Sequence, residues 1–68
     1  WEIELYLGRS YSYLGRHKEA VRVLQRAFRN NPHEPLIAFE LGVVHRLLGE
    51  DSRAQCYFHT TRKLMEKK

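Results

Sequence analysis

Residues 7–32, LGRSYSYLGRHKEAVRVLQRAFRNNP, decide how the 68-residue chain is read, because their landmark residues return at one fixed interval. Gly8 and Gly15 are echoed by Gly42 and Gly49, and both offsets are 34 residues. Ile3, Leu7, Leu14 and Ala20 return as Ile37, Leu41, Leu48 and Ala54 at the same offset. A period of roughly 20–50 residues marks a stacked repeat, in which each unit buries its apolar side only against its neighbours.

Ile3, Leu7, Tyr11 and Leu14 are spaced four, four and three. That is the stripe of an amphipathic helix, predicted from Glu2 to Leu14 with this stripe buried. Gly8 interrupts it. A helical glycine costs roughly 0.5–1 kcal/mol relative to alanine, so one that returns in the second copy is expected to let another helix backbone come close. Gly15 follows the last periodic residue, where a left-handed conformation ends a helix. A second helix is predicted from His17 to Asn30, with Ala20, Leu24, Ala27 and Phe28 on one side; the small Ala20 and Ala27 suit two antiparallel helices lying close together. Asn30-Asn31-Pro32 closes the unit, because proline disfavours helix for the residue before it and has no donor to continue the ladder. Pro35 is accepted in the first turn of a third helix. There Ile37, Leu41, Val44 and Leu48 rebuild the first stripe, and Gly49 ends it. Asp51 or Ser52 is the expected N-cap of a fourth helix carrying Ala54, Tyr57, Phe58, Leu64 and Met65. It should reach Glu66, with Lys67 and Lys68 at the negative end of its dipole. The expected fold class is all-α, with hairpins at residues 1–34 and 35–68 and a short Asn31–Glu34 turn between them.

This pattern resembles the tetratricopeptide repeat, whose helix-turn-helix unit carries W-x2-L-G-x2-Y, then A-x3-F, then P. The first copy supplies Leu7, Gly8, Tyr11, Ala20, Leu24, Ala27 and Pro32 at matching spacing, with Glu4 in the place of tryptophan. The second supplies Leu41, Gly42, Ala54 and Phe58, and has Ala38, His45, Thr61 and Glu66 where Trp, Tyr, Ala and Pro are common. The resemblance implies two units stacked as a short right-handed α-solenoid that serves as a non-enzymatic protein-protein interaction module, an adaptor or scaffold. It also implies a concave groove lined by the first helix of each hairpin, through Glu2, Leu5, Arg9, Ser12 and Tyr13 in one and Leu36, Phe39, Val43, Arg46 and Leu47 in the other.

Spacing adds its own argument. Leu5, Phe39, Val43 and Leu47 fall off the stripes expected to be buried, and apolar residues outside a core stripe invite a partner. Phe39, Val43 and Leu47 can form one ridge, with Arg9 and Arg46 available to pair with acidic groups. The expected binding set is therefore Leu5, Arg9, Tyr13, Phe39, Val43, Arg46 and Leu47, and the partner a protein or peptide whose identity the sequence does not carry. The same residues could instead pack against a neighbouring repeat. Some relatives grip the terminal carboxylate of chaperone tails with a lysine and asparagine clamp; Leu5, Arg9 and Glu40 stand where that clamp wants Lys, Asn and Asn, which argues against such a ligand.

Twelve Lys and Arg against eight Asp and Glu leave a formal charge of +4, which favours acidic partners. Lys18, Arg22, Arg26 and Arg29 form one basic face on the second helix, and RNA or an anionic surface is the rival binding class. No aromatic platform for bases is interleaved with them, so a solvated face is expected and nucleic acid is not the expected partner. Cys56, His59 and a nearby His45 are too few ligands for a zinc site, and neither metal nor cofactor is expected. His17 and His33 are expected at exposed turns. No nucleophile elbow or phosphate-cradling loop is present, and four short helices leave little room for a cavity of roughly 300–1,000 Å³; an enzyme is not expected.

The single Cys56 excludes an internal disulfide and fits a reducing compartment such as the cytoplasm. No apolar run approaches the roughly 20 residues of a membrane span and no basic-then-apolar leader opens the chain, so a soluble protein is expected. A chain this short buries only about 60% of its unfolded surface, and solenoids are comfortable with roughly three or more repeats. The chain is therefore expected to be a piece of a longer array or to self-associate. In the second case Tyr57, Phe58, Leu64 and Met65 would cover the open end of another copy.

Overall fold

The computed structural model describes residues 1–66 as four helices: α1 (Glu2–Tyr13), α2 (His17–Asn30), α3 (Pro35–Leu47) and α4 (Asp51–Glu66). No strand occurs among the described residues, and the expected all-α helical-repeat architecture is the one observed. Lys67 and Lys68, expected at the end of the α4 dipole, lie outside the described residues.

The two hairpins repeat each other in atomic detail. Gly15 and Gly49 both have φ of 82°, a conformation that an L side chain enters only at a cost. After each, the chain closes with the same six-residue bond: the Arg16 N–H donates to the Tyr11 carbonyl at 2.8 Å and the Glu50 N–H to the His45 carbonyl at 2.9 Å. This bond is the signature of a glycine-terminated helix end, and its recurrence fixes both turns alike. Gly8 and Gly42 mark the closest approach within each hairpin. A Cβ on Gly8 would stand 2.6 Å from Leu24 Cγ, and one on Gly42 would stand 2.6 Å from Phe58 Cε1. Leu24 and Phe58 are themselves one period apart, so a large side chain from the same repeat position fills the notch in each hairpin.

The core joins the hairpins through Ala20, Leu24 and Ala27 of α2 and Ile37, Leu41 and Val44 of α3, with Leu5, Tyr11, Val21, Phe28 and Tyr57 packed around them. Residues that depart from the repeat consensus are accommodated individually. Thr61, in an alanine position, is buried and its hydroxyl donates to the Tyr57 carbonyl at 2.9 Å. His45, in a tyrosine position, is 2% exposed; its ring stacks on Tyr57 with centroids 5.2 Å apart, and Nδ1 lies 2.7 Å from Glu50 Oε1. Asn31 closes α2 by donating from Nδ2 to the Ala27 carbonyl at 3.1 Å.

Three expectations are corrected. Ile3, Leu7 and Leu14 are exposed rather than buried, and Gly8 is the one buried residue of α1; no described element covers that side of the helix. Neither Asp51 nor Ser52 is the N-cap of α4. The Glu50 carbonyl already accepts from the Ala54 N–H at 3.0 Å, so the helix begins one residue earlier and Asp51 sits in its first turn, where a negative charge suits the dipole. Tyr57 and Phe58, which would cover a second copy if the chain self-associated, are half-buried within the chain, edge-on to Phe28 at 6.3 Å and tilted against Phe39 at 5.7 Å respectively.

Replacing Gly42 by alanine adds overpacking of roughly 1–3 kcal/mol against a propensity gain of roughly 0.5–1 kcal/mol. The added Cβ would stand under 3.0 Å from both Cε1 and Cδ1 of Phe58, so the rigid ring must shift as a whole against Phe39 and the overpacking wins: Gly42→Ala should lower the urea unfolding midpoint. Gly49→Ala, with open space around it but a left-handed backbone, should cost roughly 1–2 kcal/mol in the same measurement.

Candidate functional site

Because α1 and α3 are the first helices of successive units, their off-stripe residues look across one cleft. Arg9, Ser12 and Tyr13 of α1, His17 at the start of α2, and Phe39, Glu40, Val43 and Leu47 of α3 line a hollow of about 450 Å³. Phe39 and Leu47 are exposed and Val43 is half-buried between them, so the i, i+4, i+8 ridge forms one wall. Tyr13 stands exposed across from it, on α1.

Five of the seven expected binding residues come together here: Arg9, Tyr13, Phe39, Val43 and Leu47. Two do not. Leu5 is half-buried and packs against the core. Arg46 is exposed and lies with Asp51, Ala54, Gln55 and Phe58 in a separate hollow between α3 and α4. Arg9 is also not free, since its Nε lies 3.6 Å from Glu40 Oε1. That separation is long for a charge-assisted bond, and the pair serves more to place two opposite charges in an apolar cleft than to lock them together.

Two cleft residues escaped the sequence reading. Glu40 was weighed only as a poor fit to a carboxylate clamp; its burial raises the carboxyl pKa above the ordinary value of 4.5, and the Arg9 charge partly opposes that rise. The signal available was an acidic residue beside the apolar ridge of Phe39, Val43 and Leu47. His17, expected to be an exposed turn residue, is half-buried with Nδ1 shielded from solvent and without a hydrogen-bond partner. Its placement follows from the tight Gly15 turn, which folds the start of α2 back against the end of α1.

Elsewhere, Lys18, Arg22, Arg26 and Arg29 are all exposed on α2, and none forms an ion pair among the described residues. Cys56 and His59 are exposed on α4, while His45 is turned away toward Glu50 and Tyr57. Among the described residues no group of three or more His, Cys, Asp or Glu side chains is arranged to hold a metal ion. No helix among them is long and apolar enough to cross a membrane.

Matching against known proteins agrees with the helical-repeat fold. A family model for the tetratricopeptide repeat matches residues 1–44. A TPR repeat-containing protein of Treponema pallidum (strain Nichols) is 44% identical over 48 residues, a stretch that is 69% of this chain and 6% of that relative. The chain thus spans only a small part of the relative's length. It belongs to the tetratricopeptide repeat family, whose members generally mediate protein-protein interaction.

The Glu40 pair gives the cleft a pH signature. A carboxyl with a raised pKa holds its proton more tightly in the folded state, so its contribution is greatest below about pH 4.5 and declines as pH rises through the folded value. Arg9→Ala should move the Glu40 titration still higher, followed by carboxyl NMR, and lower the unfolding midpoint at neutral pH. Glu40→Gln should remove the decline.

Proposed function

We propose that this chain is a protein-interaction module that holds a partner peptide or helix in the cleft between α1 and α3, as an adaptor or scaffold without catalysis of its own. Residues 1–34 and 35–68 are its two repeat units. The observation that supports this reading is the exposed ridge of Phe39, Val43 and Leu47 facing Tyr13 across a hollow that a side chain or two can enter. Apolar surface of this kind gains on being covered at about 25 cal/mol per Å², and rigid hydrophobic walls with a few polar groups fix what enters. Arg9 and Glu40 supply the polar groups. The Arg9 guanidinium keeps its terminal nitrogens for a carboxylate while Nε remains toward Glu40, and the chain's +4 charge draws acidic segments to it. The preferred ligand is then a short segment with two or three apolar side chains on one face and an acidic residue beside them. A reducing compartment, the cytoplasm, suits an exposed lone Cys56.

Selection from a displayed library of short peptides should enrich sequences of that composition, with NMR shift changes concentrated at Arg9, Tyr13, Phe39, Val43 and Leu47. Phe39→Ser combined with Val43→Ser should weaken capture of the enriched peptides at least tenfold, about 1.4 kcal/mol, with the helical circular dichroism retained. Peptides that bind the double variant unchanged, or that perturb another surface, would sink the assignment.

A further inference from the structure

The outward side of α2 carries charge that nothing among the described residues neutralises. Lys18, Arg22, Arg26 and Arg29 are exposed and none of them is ion-paired there. At about 100° per residue the four fall within about 80° of one another, opposite the buried Ala20, Leu24 and Ala27. None of them lines the cleft between α1 and α3. The one carboxylate of α2, Glu19, lies 3.5 Å from Arg16 instead.

This row works against the helix that bears it. Like charges three or four residues apart destabilise a helix, and Lys18–Arg22, Arg22–Arg26 and Arg26–Arg29 are such pairs in succession. Lys18 also stands in the first turn of α2, where a cation opposes the dipole. Beside it the row continues onto a second helix. Arg53, exposed in the first turn of α4, shares with Lys18 a hollow of about 270 Å³ whose walls include Gln25 and Glu50. Glu50 is held at His45 Nδ1, 2.7 Å away, and forms no ion pair with Lys18 or Arg53.

We infer that the outer face of α2, continued by Arg53, docks an acidic α-helical segment of a partner protein. The four cations advance about 6, 6 and 4.5 Å along the axis, about 16 Å in all. A helix laid parallel to α2 with carboxylates spaced four, four and three has the same rise, so the two rows meet charge for charge. Three of the four cations are guanidinium groups, whose planar fork takes a carboxylate through two bonds at once. Single-stranded nucleic acid fits less well, because α2 exposes no aromatic ring on which a base could stack. An anionic bilayer also fits less well, because every apolar residue of α2 is buried or half-buried and none is free to enter it. The inference does not rest on the cleft, and either can fail without the other.

The test titrates the 68-residue chain into two labelled peptides of about 18 residues, end-blocked and built on a helix-favouring background. They share one composition: the first carries four Glu at spacings of four, four and three, and the second has the same Glu distributed around the helix. By fluorescence anisotropy at about 50 mM salt, the first should bind at least about fivefold more tightly than the second. NMR shift changes should centre on Lys18, Arg22, Arg26, Arg29 and Arg53. Arg22→Glu combined with Arg26→Glu should weaken that binding at least about tenfold. Helical circular dichroism should be retained, because each new carboxylate gains a cation one turn away. A peptide with Lys in place of the four Glu should bind this reversed chain better than it binds the original, and the neutral pair Arg22→Gln and Arg26→Gln should fall between the two. Phe39→Ser with Val43→Ser should leave the binding as it was. Equal binding of the two acidic peptides, binding indifferent to the charge reversal, or binding lost in the cleft variant overturns the inference. So does single-stranded RNA or a phosphatidylserine vesicle that occupies the same four residues more tightly than the matched peptide.

Discussion

Everything in this molecule follows from two notches without a Cβ. At Gly8 and Gly42 the backbone of a first helix is bare, and a large side chain from the second helix, Leu24 or Phe58, occupies the space. That contact sets how near the helices of a hairpin lie and, with the identical glycine turns at Gly15 and Gly49, how they are angled. Because both units obey the same constraint, the second is a displaced copy of the first, and off-stripe residues of α1 and α3 are left facing one another. The cleft is a by-product of the repetition.

Repetition also explains why burial is unequal along a chain whose two halves match. A repeat unit covers one side of its first helix with its own second helix and relies on the unit before it for the other side. Among the described residues α3 has such a neighbour and α1 does not, so identical apolar residues are core in one place and surface in the other. Two departures of the second unit from the consensus find local partners: His45 has Glu50 at Nδ1 and Tyr57 against its ring, with its buried Nε2 left without a hydrogen bond, and Thr61 has a carbonyl one turn back.

Much of the cleft could be read from spacing. The ridge of Phe39, Val43 and Leu47 lies off the stripe of its helix, and a residue that does not face the core must face something else. Arg46 shares that logic but sits further round α3, beside α4, since a helix turns about 100° per residue and a one-residue error carries a side chain to another face. Leu5, read as off the buried stripe, is half-buried and packs against the core instead of lining the cleft. The Arg9–Glu40 pairing was not legible, because it depends on which side chains meet across two helices that are distant in sequence, and the shielding of His17 depends on how the Gly15 turn folds the start of α2 back against α1.

The 34-residue period, the four helices and the glycine turns were determined by the sequence alone, because each is set by residues within one or two turns or by a repeated interval. The tertiary structure decided which copies of the same apolar residue are covered, where the two cleft charges meet and how a histidine replaces a tyrosine in the core. These depend on which neighbours a residue acquires when the chain folds, and the order of residues along one helix carries no record of what will lie against it.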